Sequence, residues 1–233
     1  MTNTQLKRIY CNIKHQAMSE ITNTELGRQL MKPSGEIGLQ VAENMNVTNA
    51  KLYAFVLSHM QIKDNDKILE IGFGNGKTIP QFFAINPTIK FYGVDFSEIM
   101  CAKAISLNKE FEKSIHISCQ NAMNMSFDNE FFDRIVTLNT IYFWENIERQ
   151  LAEMKRVLRK NGQLIIGYRP KTSMQKLPFT QEVFTHYDSA ELQAIITQNG
   201  FRIVNEECNE TLVKSVEKGM IEMFDICLIA EKL

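Results

Sequence analysis

Lys67-Ile-Leu-Glu-Ile-Gly-Phe-Gly-Asn-Gly-Lys-Thr-Ile-Pro-Gln81 decides the fold. Ile68, Leu69 and Ile71 form a short apolar run, the pattern of a strand buried on both faces. Glycines follow at Gly72, Gly74 and Gly76, and a helix-like segment comes next. A strand that breaks into alternating glycines and enters a helix is a nucleotide-binding turn. Glycine lets the backbone adopt unusual dihedrals and lets a ligand approach closely. The free N–H groups of the helix then point at that ligand.

Working outward, strands alternate with helices. Phe91 to Asp95 reads as a second strand ending on a carboxylate, and Ser97 is placed to cap the helix after it. Ile115 to Ser118 and Phe132 to Leu138 are the third and fourth strands. Asn146 caps a helix carrying Ile147, Leu151, Met154 and Leu158 on one face, with Gly162 expected as the left-handed residue after it. Leu164 to Tyr168 is a fifth strand, Asp188 and Glu191 form a capping pair, and Phe201 to Asn205 and Ile226 to Ala230 are the last strands. The segment from Glu206 to Asp225 has no clear register. The alternation predicts a mostly parallel sheet covered on both faces, with one of the last two strands antiparallel because no helical crossover joins them.

The first 63 residues are helical in pattern, with stripes at Leu6, Ile9, Tyr10 and Ile13, at Ile37, Val41 and Met45, and at Leu52, Phe55, Val56 and Met60. Two regions result: 1–63, a helical segment expected to act as a lid, and 64–233, the ligand-binding domain, both within one structural domain. Asn44-Met45-Asn46 and Tyr53 are candidates to face the pocket.

The bulk properties exclude several classes. A formal net charge of −1 lacks the basic excess of a nucleic-acid binder. There is no apolar run long enough to span a membrane and no apolar signal core at the N-terminus. Five scattered cysteines fit neither a disulfide framework nor a zinc site, and the four histidines show no metal-ligand spacing, so the expectation is a cytoplasmic protein with reduced thiols and no metal. The dinucleotide fingerprint needs glycine where Lys77 stands, which disfavours an NAD(P)-dependent oxidoreductase.

A G-x-G-x-G turn after hydrophobic-Glu-Ile resembles the first motif of class I S-adenosylmethionine-dependent methyltransferases, closest to their small-molecule, quinone-biosynthesis-like branch. Asp95 lies nineteen residues after Gly76, where a carboxylate can accept both ribose hydroxyls. Asn121-Ala122 stands where the family often has aspartate-alanine beside the adenine. The segment from Asn139 to Trp144 resembles the pocket-lining segment after the fourth strand, and lacks the prolines of the amino-methylating DNA enzymes. The resemblance implies a Rossmann-like three-layer α/β/α sandwich with a seven-stranded sheet whose last strand is antiparallel. It implies S-adenosyl-L-methionine as cofactor, with S-adenosyl-L-homocysteine as product. The implied cofactor-binding residues are Glu70, Gly72, Phe73, Gly74, Asn75, Gly76, Asp95, Phe96, Ser97, Asn121, Ala122 and Asn139. Tyr142, Tyr168 and His186 are candidate bases. The acceptor is expected to be a small, partly apolar molecule. A non-catalytic cofactor-binding protein is the alternative.

Overall fold

In the computed structural model, residues 21–215 and 219–233 are described. The first apolar stripe, at Leu6 to Ile13, lies outside them. Seven strands form one sheet in the order β3-β2-β1-β4-β5-β7-β6. β1 (Lys67–Ile71) is central, pairing in parallel with β2 (Lys90–Asp95) and β4 (Phe132–Leu138). Its Ile68 and Leu69 are fully buried on opposite faces, which is why the strand reads as an unbroken apolar run. β3 (Ile115–Cys119) pairs in parallel with β2, and β5 (Leu158–Tyr168) with β4. β7 (Gly219–Lys232) inserts between β5 and β6 (Phe201–Ser215) and runs antiparallel to both. The sheet is therefore mostly parallel with an antiparallel last strand.

The chain order reverses between β1 and β4, so the carboxyl ends of β1, β2 and β4 flank a crevice at the switch point of the sheet. The N-terminal helices approach it differently. α1 (Asn23–Met31) and α2 (Gly35–Thr48) stand over these strand ends. α3 (Ala50–His59) instead packs on the sheet, where Leu52 and Val56 are fully buried against Ile68, Ile165 and Ile229. Each such side chain contributes about 1.5–3 kcal/mol, so α3 is a layer of the core. α4 (Pro80–Ile85) and α5 (Glu98–Leu107) follow β1 and β2. α6 (Ile147–Val157) and, later in the chain, a helix at Ser189–Gln198 cover the opposite face through Leu151, Met154, Leu192 and Ile196.

Local details differ from the sequence reading in three places. The left-handed residue between α6 and the body of β5 is Asn161, at φ 59°, and not Gly162. Asparagine tolerates that conformation. Ser97 does not cap α5, because its hydroxyl donates to the Pro33 carbonyl at 2.6 Å. The helix-start amide of Ser97 is taken by Asp95 instead. Where it is described, the unreadable segment from Glu206 to Asp225 continues the pairing of β6 with β7. Beyond the Tyr168–Ile226 pair it has left β5 and forms a two-stranded ribbon up to Ser215 and Gly219. The ribbon is tied back where the Phe224 N–H donates to Ser173 Oγ at 2.8 Å, on α7 (Lys171–Met174). Asn146 and Asp188 do cap their helices, each accepting from the third residue on. Among the described residues no helix is long and apolar enough to cross a membrane.

Candidate functional site

The three glycines of the turn have left-handed backbones, at φ 75°, 61° and 72°, and do three different jobs. A Cβ on Gly72 would lie 2.3 Å from Thr140 Cγ2, so this glycine lets the turn pack on the segment after β4. A Cβ on Gly76 would lie 2.6 Å from Ala104 Cβ, so this one lets the turn pack on α5. Around Gly74 a Cβ would meet nothing within 4 Å. Gly74 is the position where the backbone stands open for a ligand to approach.

Asp95 is built into the same turn. Its Oδ2 accepts the Gly74 N–H at 3.1 Å and its Oδ1 accepts the Ser97 N–H at 2.9 Å. Burial raises its pKa to about 6, opposed by the amides of Ser97, Gly74 and Phe96. Glu70, one residue before the end of β1, is almost fully buried. Burial raises its pKa to about 8; the hydrogen bond from Tyr53 opposes this and the nearby Asp95 adds to it. The Tyr53 hydroxyl of α3 donates to Glu70 Oε1, and Glu70 Oε2 is buried with no hydrogen-bond partner. An open glycine backbone, an acidic strand tip and an unsatisfied buried carboxylate oxygen fit a ligand bearing both hydroxyl and cationic amino groups. S-adenosylmethionine is such a ligand.

These groups line a cavity of about 510 Å³, within the range of small-molecule sites. Of the cofactor residues expected from sequence, Glu70, Gly72, Phe73, Gly74, Asn75, Asp95, Phe96, Asn121, Ala122 and Asn139 all line it. Gly76 and Ser97 do not; the first faces α5, and the second is turned onto the Pro33 carbonyl. Asn121 Oδ1 accepts the Met123 N–H at 2.8 Å, so part of its acceptor capacity closes its own turn. Met45, Asn46 and Tyr53 face the cavity and Asn44 does not.

The candidate bases fare differently. Tyr142 lines the cavity, but its hydroxyl accepts from the Arg169 N–H at 2.6 Å and contacts the Arg169 carbonyl and Asn139 Oδ1. Burial pushes its pKa far up, so it is a structural tie and a poor base. Tyr168 lies away from the cavity with its hydroxyl buried and its pKa likewise raised by burial. His186 also lies outside the lining, and burial lowers its pKa. Neither Tyr168 nor His186 is placed to act on a molecule bound there.

Several individual side chains of the cavity wall and behind it were not singled out in the sequence reading. Arg169 directly follows β5 at 6% exposure, and its Nε donates to Asp225 Oδ1 at 2.8 Å. Asp225 comes from the hairpin, 56 residues on, and is fully buried. Glu43 of α2 bonds Asn75 and Lys77 of the glycine turn at 3.4 and 3.3 Å. Gln29 and Pro33 bring α1 and its following turn to the cavity wall. The connection after β5 contributes Met174, Leu177, Pro178, Phe179 and Phe184.

Comparison with known proteins agrees with this geometry. A methyltransferase domain family matches residues 69–166, from β1 through most of β5. The chain is 24% identical over 127 residues to the uncharacterized methyltransferase YdaC of Bacillus subtilis, covering 54% of this chain and 69% of that protein. It is 30% identical over 102 residues to a phosphatidylethanolamine N-methyltransferase of Cereibacter sphaeroides, covering 43% of this chain and 49% of that one. The matched stretch thus spans about half the length of the latter. A solved structure of an S-adenosylmethionine-dependent methyltransferase from Methanosarcina mazei superposes with a TM-score of 0.62 at 18% identity, over 76% of this chain and 97% of that one. Sheet order and matched domain point the same way: the chain carries a methyltransferase domain over residues 69–166, in the fold of S-adenosylmethionine-dependent methyltransferase structures.

Proposed function

We propose that the protein transfers the methyl group of S-adenosylmethionine to a small, partly apolar acceptor. The observation that carries this reading is one continuous cavity with two kinds of wall. Glu70, Gly74 and Asp95 stand at one end, and aromatic and aliphatic side chains from α1, α2 and the connection after β5 at the other. In this reading Asp95 holds the ribose, the backbone from Gly72 to Gly76 approaches the methionine part, and Asn121-Ala122 borders the adenine. Glu70, oriented by the Tyr53 hydroxyl, receives the amino group.

The cofactor supplies an activated methyl on a positively charged sulfur, displaced in line by the acceptor. The protein's task is then to align two bound molecules and exclude water. α1 and α2 serve that exclusion, latched to the cofactor end by the Glu43 contacts and by Ser97 Oγ on the Pro33 carbonyl. The lid is thus formed by α1 and α2, with α3 as its fixed base. Among the described residues no lysine or histidine lines the cavity, and the carboxyl groups that line it are Glu70, Asp95 and Glu145. The reading includes a cytoplasmic location.

The test is incubation of a cell extract with the full chain and methyl-labelled S-adenosylmethionine, followed by mass spectrometry. Labelled small molecules that depend on the protein and disappear in Asp95→Ala support the proposal. Tight cofactor binding by calorimetry with no labelled product across extracts would favour a non-catalytic binding protein.

A further inference from the structure

Given the methyltransferase reading, on which this inference rests, the acceptor end of the cavity carries more chemical information than its apolarity. Its walls are Leu30, Phe143, Met174, Leu177, Phe179 and Phe184. Phe143 and Phe184 meet edge-to-face at 4.5 Å between centroids. Against this wall stands one polar ledge. Asn46 of α2 lines the cavity, and its Nδ2 is buried without a hydrogen-bond partner. One turn further on, Asn49 Oδ1 lies 3.5 Å from Arg169 Nη1, and the Thr48 carbonyl 3.3 Å from Arg169 Nη2. A guanidinium has five N–H donors. The contacts to Asp225, Asn49 and Thr48 engage three of them, two at long range.

The ledge therefore holds one buried donor with no acceptor, Asn46 Nδ2, beside a guanidinium whose N–H donors are not all engaged. A buried donor left unpaired is costly, and a bound oxygen removes that cost. Charge narrows the choice further. Among the described residues, the charged side chains lining the cavity are Glu70, Asp95, Glu145 and Arg169. Glu70 and Asp95 stand at the cofactor end, Glu145 is exposed at the rim, and Arg169 is already paired with buried Asp225. None of the four offers the aromatic compartment an unpaired charge to compensate an ionised acceptor.

We infer that the acceptor is an uncharged, ring-sized apolar molecule carrying an oxygen that accepts hydrogen bonds from Asn46 and Arg169. A phenol, enol or ring carbonyl has this chemistry. The aromatic wall takes the body of the molecule, and the ledge sets which edge is turned toward the cofactor.

The test uses the full chain saturated with S-adenosylhomocysteine and three probes of one shape: 2-naphthol, 2-methylnaphthalene and 2-naphthoate. Affinities are measured by calorimetry or fluorescence. We expect 2-naphthol to bind about tenfold to a hundredfold more tightly than 2-methylnaphthalene, the range for satisfying a buried donor. We expect 2-naphthoate to be weaker than 2-naphthol. Asn46→Leu should level the first two while S-adenosylhomocysteine still binds. If that variant no longer binds S-adenosylhomocysteine, Asn46→Ala, which removes the donor without adding bulk or charge, carries the same comparison. Equal affinities of 2-naphthol and 2-methylnaphthalene in the wild type, or a preference for 2-naphthoate, would overturn the inference. Failure of the wild type to bind S-adenosylhomocysteine would instead overturn the methyltransferase reading beneath it.

Discussion

Replacing Glu70 by glutamine tests the electrostatics of the cofactor end without any acceptor. Glu70 is buried, and its pKa rises from 4.5 to about 8 on folding, mainly through burial. A carboxyl whose folded pKa is raised is tolerated while protonated, and its folded state loses stability as pH climbs from the unfolded to the folded value. The interval from 4.5 to about 8, at about 1.36 kcal/mol per pH unit, is worth about 5 kcal/mol. That figure is an upper limit, since water entering the cavity relaxes the burial. Glu70→Gln keeps the shape and the acceptor for the Tyr53 hydroxyl but cannot ionise. Denaturant unfolding of both ligand-free proteins between pH 4.5 and pH 9 gives their stability difference. The variant should gain on the wild type steadily up to about pH 8 and then level off. Parallel stability curves would refute the reasoning, because they would mean that Glu70 ionises as freely in the folded chain as in the unfolded one.

Asp95→Ala removes the acceptor of the Gly74 and Ser97 amides and the ribose partner proposed for it. Calorimetry with S-adenosylhomocysteine should show affinity lower by about 1–3 kcal/mol; unchanged affinity would contradict the ribose assignment. Gly72→Ala and Gly74→Ala should separate structural from ligand roles. Both lose about 1–2 kcal/mol to a left-handed alanine, but only Gly72→Ala adds the Thr140 clash and should melt far earlier. Gly74→Ala should keep most of its stability and lose mainly cofactor affinity, and equal melting of the two would be the contrary result. Arg169→Met leaves the Asp225 carboxylate buried and unpaired, a loss of about 3–5 kcal/mol. Burial already raises the Asp225 pKa and Arg169 holds it down. The deficit should therefore grow as pH rises above the carboxylate range and shrink in acid, and Arg169→Met/Asp225→Leu should recover much of it. A pH-independent deficit in unfolding experiments would show that the charge is not its source.

Legibility in the sequence divides by how far apart the interacting residues lie. β1, the glycine turn and the carboxylate of Asp95 fall within 29 consecutive residues, and each announces itself through local backbone chemistry. Burial on both faces of a strand, left-handed glycines and a helix start are properties of short windows. The cavity wall that selects an acceptor is different. Arg169 is fixed by Asp225 at a separation of 56 residues and meets Asn49 at 120. Tyr53 reaches Glu70 only because α3 leaves the lid and packs on the sheet. No window contains these pairs, and none of the residue types is unusual for an exposed helix or loop. The hairpin beyond Asn205 is illegible for a related reason. Once the ribbon leaves β5, its outward positions carry Cys208, Leu212, Glu222 and Phe224, a mixture with no clean polar alternation. Yet this irregular ribbon delivers Asp225, and through it the orientation of Arg169. In the proposed reading donor binding is thus written locally in one turn, whereas acceptor choice is assembled from segments far apart in the chain. In that reading, substitutions at positions such as Asn46, Asn49, Phe179 and Asp225 would change the acceptor while leaving residues 67–95 untouched.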